Sequence, residues 1–134
     1  SQAIHYPALL DLPVPHVRAY SPATVVAEKF QAMVAPGIAN GRMKDYYDLW
    51  AIPKSLKIVE EDLDAAIKAT FERRLTSIPT ERSAGLSAEM IADETKQRQW
   101  RAYAASIELQ AVTLDAVIEA VWALVGPSCA RLTV

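Results

Sequence analysis

Three charged residues, Lys29, Asp45 and Asp48, fall on predicted helix faces that carry apolar side chains. Because an α-helix turns by about 100° per residue, Lys29 should project between Val25 and Met33 rather than toward water. Asp45 and Asp48 are three residues apart, which places both carboxylates on one helix face. Such groups are rarely buried unless they are paired or bind a ligand, because removing a charge from water is costly. Function should therefore be sought at these residues.

Two interpretations of these charges remain open at the level of sequence. In the first, Lys29 and the two aspartates form a binding or catalytic site between two helices. In the second, they form a buried structural ion pair, from which removal of one partner costs about 3–5 kcal/mol. Asp45 also has a local role available as the N-cap of a helix, with Asp48 completing an arrangement like a capping box. Both interpretations predict that Lys29 lies within reach of Asp45 or Asp48.

The elements that position these charges are helical. Residues 1–20 are rich in proline and predict an extended lead-in, with a short strand at residues 16–20. The first helix should begin at Ser21-Pro22, run to about Val34 and stop before Pro36-Gly37. A turn at Asn40-Gly41 leads to a short helix that Asp45 caps and that ends at Pro53.

The second half of the chain predicts three more helices. A four-residue apolar repeat follows an acidic first turn and marks the third helix, at Val59, Leu63, Ile67 and Phe71. A loop over residues 75–85 follows, and a fourth helix should start after Ser87 and continue through Tyr103. Thr113 caps a fifth helix that ends at Gly126-Pro127. The prediction is a mainly α fold of about five helices, with residues 1–134 as one compact domain.

Composition restricts the class of protein. The 134 residues are 51% hydrophobic, enough for one globular core, and the formal net charge of −2 gives no bulk attraction to nucleic acid or to an anionic membrane. The single cysteine, Cys129, excludes an internal disulfide and a cysteine-cluster metal site. No apolar run is long enough to span a membrane and no signal peptide is evident, so a cytoplasmic protein is expected.

Four motifs resemble the AbiEii/AbiGii toxin family of nucleotidyltransferases: Tyr20-Ser21-Pro22, Ala27-Glu28-Lys29-Phe30, Arg42-x-Lys44-Asp45-x-Tyr47-Asp48-Leu49, and Gln99-Trp100-x-x-Tyr103. The resemblance implies a toxin of a toxin–antitoxin or phage-defence system, which transfers a nucleotide from a nucleoside triphosphate, with RNA as the acceptor. It also implies an antitoxin protein as partner.

The resemblance assigns roles to particular residues. It implies that Lys29 contacts the nucleotide phosphates, that Arg42 and Lys44 flank the same pocket, and that Asp45 or Asp48 is the late catalytic carboxylate. These roles suit the residue types. A compact ammonium neutralises phosphate oxygens, and a carboxylate near the attacking hydroxyl can act as a general base. Such transfer also uses Mg²⁺, which prefers carboxylates and phosphate oxygens.

One part of the family pattern does not occur in this sequence. The glycine-serine helix start and the following Asp-x-Asp metal site have no counterpart, and Asp62-Leu63-Asp64 reads as the acidic first turn of a helix. We therefore expect the C-terminal portion of such an enzyme, inactive alone and binding neither Mg²⁺ nor nucleotide tightly. The alternative is a non-catalytic helical module that binds a protein partner or forms a homo-oligomer through the aromatic helix at residues 46–50.

Overall fold

The computed structural model describes residues 21–35 and 42–134, which form six α-helices, one short 3-10 helix and no strand. The mainly α fold class is confirmed. The predicted extended lead-in, the strand at residues 16–20 and the turns at residues 36–37 and 40–41 fall outside the described residues. The helices are α1 (Pro22–Val34), α2 (Met43–Ser55), α3 (Glu60–Arg73), α4 (Ala88–Ala92), α5 (Glu94–Ser106) and α6 (Leu114–Leu132), with the 3-10 helix at Ala84–Leu86.

The helices pack around the longest of them, α6. Helix α1 lies mainly against α3 and also contacts α2, while α6 packs against both α2 and α3. Helix α5 lies across α2 and α6, where the Trp100 indole donates a hydrogen bond of 2.8 Å to the carbonyl of Val112. This arrangement places α1, α2 and α5 around one region of the surface.

Helix α1 begins and ends as its sequence predicts. The Ser21 hydroxyl accepts a hydrogen bond of 3.1 Å from the backbone N–H of Thr24, and Pro22 occupies the first helical position. Apolar side chains from Val26 to Met33 pack into the core. Because α1 is buried on most of its circumference, the position of Lys29 along it is fixed.

Helix α2 differs from its prediction at both ends. It begins at Met43, with Arg42 as N-cap, so Asp45 lies in the first turn and does not cap the helix. The reason is that the carboxylates of Asp45 and Asp48 contact cationic side chains, as described below. Pro53 does not end the helix, because the carbonyl of Ile52 still accepts a hydrogen bond of 2.9 Å from the N–H of Leu56. A proline near the C-terminal end removes a single hydrogen bond.

The predicted fourth helix is two helices. Asp93 has an extended backbone and its carboxylate accepts a hydrogen bond of 3.0 Å from the N–H of Lys96, so it caps α5 after the short α4 has ended. Ser87 caps α4 in the same way, as the sequence predicts. Aspartate competes with the helix for backbone N–H groups, which is why it divides this segment.

Helix α6 starts at its predicted cap, Thr113, but does not end at Gly126-Pro127. It continues to Leu132, with buried Val125 and Cys129 on either side of the proline. The tertiary contacts of the last turns retain the helix beyond Pro127. Across residues 21–35 and 42–134, none of the helices has both the length and the apolar character needed to cross a membrane.

Candidate functional site

Lys29 and the two aspartates meet between α1 and α2, as predicted. The Lys29 ammonium lies 3.3 Å from Asp45 Oδ1 and 3.0 Å from Asp48 Oδ2. One lysine of α1 therefore contacts both carboxylates of the following helix. Lys29 and the two acids hold α1 and α2 together, and they place three titratable groups within one small volume.

Two further cations complete this group. Arg42 Nε lies 3.0 Å from Asp45 Oδ2, and Lys44 Nζ lies 3.1 Å from Asp48 Oδ2. We call these five residues the Lys29 cluster: Lys29, Arg42, Lys44, Asp45 and Asp48. Three cations against two carboxylates give the cluster a formal charge of one positive unit, so it suits an anionic ligand.

Burial separates the acids from the bases. The side chains of Asp45 and Asp48 are 4% and 1% exposed, and that of Lys29 is 21% exposed. Lys44 and Arg42 are 51% and 66% exposed. The carboxylates thus form the floor of the cluster, and the cations lie between them and solvent. Each acid has lost its water and depends on its cationic partners.

The two carboxylates are not equivalent. Asp48 Oδ2 contacts two ammonium groups, and it accepts a hydrogen bond from Lys44. Asp45 Oδ1 accepts a hydrogen bond from Lys29, whereas Asp45 Oδ2 accepts none although it is buried. The Arg42 guanidinium lies close to that oxygen and interacts with it by charge. Asp45 therefore holds an acceptor oxygen whose hydrogen-bonding capacity is unused.

A cleft of about 610 Å³ opens beside the cluster. Its first wall is cationic and its second wall, from α5, is uncharged. The first is made by Lys29, Arg42, Met43, Lys44 and Asp45, and the second by Gln99, Ala102 and Tyr103. Asp48 instead lines a neighbouring cavity of about 300 Å³ with Lys44, Tyr47 and Tyr103. The cleft has the size of small-molecule sites in proteins, which span about 300–1,000 Å³.

Tyr46 lies on the buried side of the Lys29 cluster and holds α2 in place. Its side chain is fully buried, and its hydroxyl donates a hydrogen bond of 2.7 Å to the carbonyl of Gly85. Burial, and secondarily the negative charge of Asp45, raise the pKa of Tyr46 to about 12. A Cβ atom on Gly85 would lie 3.1 Å from this hydroxyl, so glycine allows the close approach. The anchor fixes α2 against the 3-10 helix.

Aromatic rings extend from the cleft along α2 and α5. The Tyr103 ring centroid lies 6.1 Å from that of Tyr47 and 5.9 Å from that of Trp100, and Tyr47 lies 6.1 Å from Trp50. Tyr46 and Trp100 are core residues. Tyr47, Trp50 and Tyr103 are half-buried against the core. Burial, followed by the charge of Asp48, raises the pKa of Tyr103.

Other candidate groups have structural roles. Asp62 is exposed, and Asp64 accepts hydrogen bonds of 2.7 and 3.0 Å from Arg131, which lower the pKa of Asp64. Burial raises the pKa of the Cys129 thiol to about 11, so it is not an activated nucleophile. Within the described ranges, no group of three or more histidine, cysteine, aspartate or glutamate residues could hold a metal ion.

Two residues of the cleft were not assigned to the site from the sequence. These are Gln99 and Tyr103, which belong to one of the motifs quoted above but received no role at the site from it. Their spacing of four residues with Ala102 between them predicts a shared face of α5. Nothing in the sequence pairs that face with Lys29, because the contact depends on how α5 lies across α2.

A family model described as the nucleotidyl transferase AbiEii toxin of a type IV toxin–antitoxin system matches residues 1–124. The match covers the motifs quoted above and the residues that form the cleft. No curated protein and no solved structure matches the chain at a significant level.

Proposed function

Because the chain belongs to the nucleotidyl transferase AbiEii toxin family, we propose that the cleft beside the Lys29 cluster binds the phosphates of a nucleoside triphosphate. The observation that carries this proposal is the order of burial. Two acids that are 4% and 1% exposed lie beneath three cations that line the cleft. The acids hold the cations in place, and the cations present positive charge to the ligand.

The cations differ in what they can give to a phosphate chain. Lys29 is held by two acids and supplies a fixed point charge. Arg42 and Lys44 are more exposed, so their charged groups can move to contact the phosphates. The Arg42 guanidinium can contact two phosphate oxygens at once. Together these residues would neutralise charge that develops on the leaving pyrophosphate during transfer.

Asp45 is the better of the two candidates for the general base. It lines the cleft, whereas Asp48 does not, and its Oδ2 atom accepts no hydrogen bond. Movement of Arg42 from Oδ2 to a phosphate would leave this oxygen available to a hydroxyl group of the acceptor. Asp48 acts as a positioning residue that holds Lys29 and Lys44.

The described residues do not fit a site for Mg²⁺. The two carboxylates of the cluster are occupied by ammonium and guanidinium groups, and a further carboxylate does not lie beside them within the described ranges. In our proposal the chain acts as the C-terminal portion of the enzyme and is inactive alone. Four further parts of the proposal follow from the family. They are RNA as the acceptor, a cognate antitoxin as the partner, a role in phage defence and a cytoplasmic location.

Titration of the protein with ATP, followed by NMR or calorimetry, tests the proposal. We expect saturable binding in the millimolar range or tighter. Lys29→Ala should weaken it by roughly 10- to 100-fold, since hydrogen bonds to charged groups contribute about 1.5–3 kcal/mol. Arg42→Ala should weaken it by less, because Arg42 is exposed and its loss leaves the helix contact intact.

The matched control is Lys68→Ala. Lys68 is exposed, pairs with Glu72 within α3 and does not line the cleft, so this change should leave ATP binding unaltered. Circular dichroism of each variant shows whether the helices are retained. If millimolar ATP does not bind the wild-type protein, or if it binds Lys29→Ala and Arg42→Ala as tightly as it binds the wild-type protein, the proposal is wrong.

The half-buried aromatic side chains of α2 favour a second candidate function. Tyr47 and Trp50 pack against each other with part of their surface in solvent, and Lys54 lies 4.5 Å above the Trp50 ring. Such surfaces occur where proteins bind partners or copies of themselves. If ATP does not bind but the protein dimerises in sedimentation, and Trp50→Ala abolishes the dimer, this second function replaces the first.

A further inference from the structure

The α5 wall of the cleft has a chemistry unlike that of the wall it faces. Gln99, Ala102 and Tyr103 contribute an amide, a methyl group and a phenol ring. The opposite wall carries Lys29, Arg42, Lys44 and a single acid, Asp45. One wall therefore suits an anion, and the other suits a flat polar ring.

We propose that the α5 wall binds the base of the nucleotide, with Tyr103 stacking on its ring and Gln99 forming hydrogen bonds to its edge. This inference rests on the proposed phosphate site, because it concerns the other end of the same ligand. In this proposal Tyr103 contributes affinity for any base, since every base has a π-face. Gln99 contributes to the choice among bases, since its amide both donates and accepts hydrogen bonds.

The Tyr103 ring is held in place before a ligand arrives. Its centroid lies 6.1 Å from that of Tyr47 and 5.9 Å from that of Trp100, and both ring pairs are tilted. Trp100 is fixed by its hydrogen bond to Val112. A ring that is already ordered loses little conformational entropy when a base stacks on it. Burial, followed by the negative charge of Asp48, raises the pKa of Tyr103 above its ordinary value of 10.0, and such a phenol adds no charge to the cleft at neutral pH.

Ala102 leaves room for the base between Gln99 and Tyr103. It is exposed, and its methyl group lines the cleft. A larger side chain at this position would occupy space in the cleft without disturbing the core. Ala102→Leu is therefore a variant that can block the base and retain the fold.

Comparison of ATP with inorganic tripolyphosphate separates the base from the phosphates. We expect ATP to bind roughly 5- to 100-fold more tightly than tripolyphosphate, the range that stacking on one aromatic residue supplies. Tyr103→Leu and Ala102→Leu should remove this difference in affinity between ATP and tripolyphosphate, and they should leave the affinity for tripolyphosphate unaltered. Tyr103→Phe should retain it. Gln99→Ala should make the affinities for ATP, GTP, CTP and UTP more alike.

Trp50→Leu is the matched control, because it removes an aromatic side chain of α2 that does not line the cleft. A second measurement does not depend on variants. The NMR signals of the Tyr103 ring should shift upfield on addition of ATP and not of tripolyphosphate, since a stacked base shields them.

The outcomes distinguish this inference from the proposed function. If tripolyphosphate binds in a manner that depends on Lys29, but ATP binds no more tightly, the phosphate site stands and the base site is wrong. If Ala102→Leu still binds ATP more tightly than tripolyphosphate and the NMR signals of Tyr103 do not shift, the base lies elsewhere. If neither ligand binds, both proposals are wrong.

Discussion

Two adjacent residues of α1 take part in two ion-pair clusters of opposite charge pattern. In one a cation of α1 contacts two acids, and in the other an acid of α1 contacts two arginines. Lys29 contacts Asp45 and Asp48 on α2. Its neighbour Glu28 accepts hydrogen bonds from Arg73 and Arg74, with 3.0 Å between Arg74 Nε and Glu28 Oε1. We call Glu28, Arg73 and Arg74 the Glu28 cluster. Each cluster adds ion pairs to the apolar packing between α1 and another helix.

Burial is the difference between them. In the Glu28 cluster the acid is 24% exposed and the two arginines are 56% and 53% exposed, so water and salt screen every charge. In the Lys29 cluster the acids are almost fully buried, and a cleft opens beside the cations. Of the two clusters, only the Lys29 cluster has cations that buried counter-ions hold beside open space, and it is therefore the candidate site.

The largest expected effect is the loss of Asp48. Asp48→Ala removes a buried carboxylate that contacts two ammonium groups, and Lys29 then keeps only Asp45. We expect unfolding free energy to fall by about 3 kcal/mol, the lower end of the range for breaking a buried ion pair. Urea denaturation measures this change.

Asp62→Ala is the matched control for that variant, because Asp62 is an exposed aspartate in the first turn of α3. Its loss should cost less than about 1 kcal/mol. A loss of less than 1 kcal/mol in Asp48→Ala would remove the distinction between the two clusters.

An intermediate effect is expected at alkaline pH, where Tyr46 reports on the buried side of the Lys29 cluster. The pKa of Tyr46 is raised from 10.0 to about 12 in the folded protein. Above pH 10 the unfolded chain releases this proton while the folded protein retains it, so the stabilisation present below pH 10 is lost as the pH rises through 12. The loss should reach about 2 kcal/mol near pH 12.

Tyr46→Phe should flatten this part of the stability curve, measured by urea denaturation between pH 10 and 12. At neutral pH the same variant should cost about 1–2 kcal/mol, because the buried carbonyl of Gly85 loses its donor. Glu28→Gln is the control and should leave the alkaline slope unaltered. A slope that is identical in Tyr46→Phe would assign the alkaline sensitivity to other groups, such as the Cys129 thiol.

The positions of the helices and of their inward faces could be predicted from the sequence, because helix periodicity controls them. Apolar spacing identified the helices, and the 100° turn per residue placed Lys29 on the inward face of its helix. Local capping was less reliable. Asp45 has the chemistry of an N-cap, but it lies in the first turn of α2 and its carboxylate contacts Lys29 and Arg42 instead.

The uncharged wall of the cleft could not be predicted. It depends on the angle at which α5 crosses α2, and that angle is set by the packing of side chains such as Trp100 against distant parts of the chain. Asp93 divides the segment and begins α5 with its own direction. No spacing within α5 indicates which face of which other helix it will meet, so Gln99 and Tyr103 could be joined to Lys29 only in three dimensions.

The smallest effect is expected in the Glu28 cluster, and it sharpens the comparison most directly because the change is one residue from Lys29. Glu28→Gln should lower the unfolding free energy by less than about 1 kcal/mol, and this small difference should vanish in 1 M NaCl, where charges are screened within about 3 Å. Binding of ATP or tripolyphosphate should not change, since Glu28 does not line the cleft. Denaturation at low and high salt, with one ligand titration, measures both quantities. A loss of ligand binding in Glu28→Gln would show that the two clusters act as one unit, with the α1 position set from both sides.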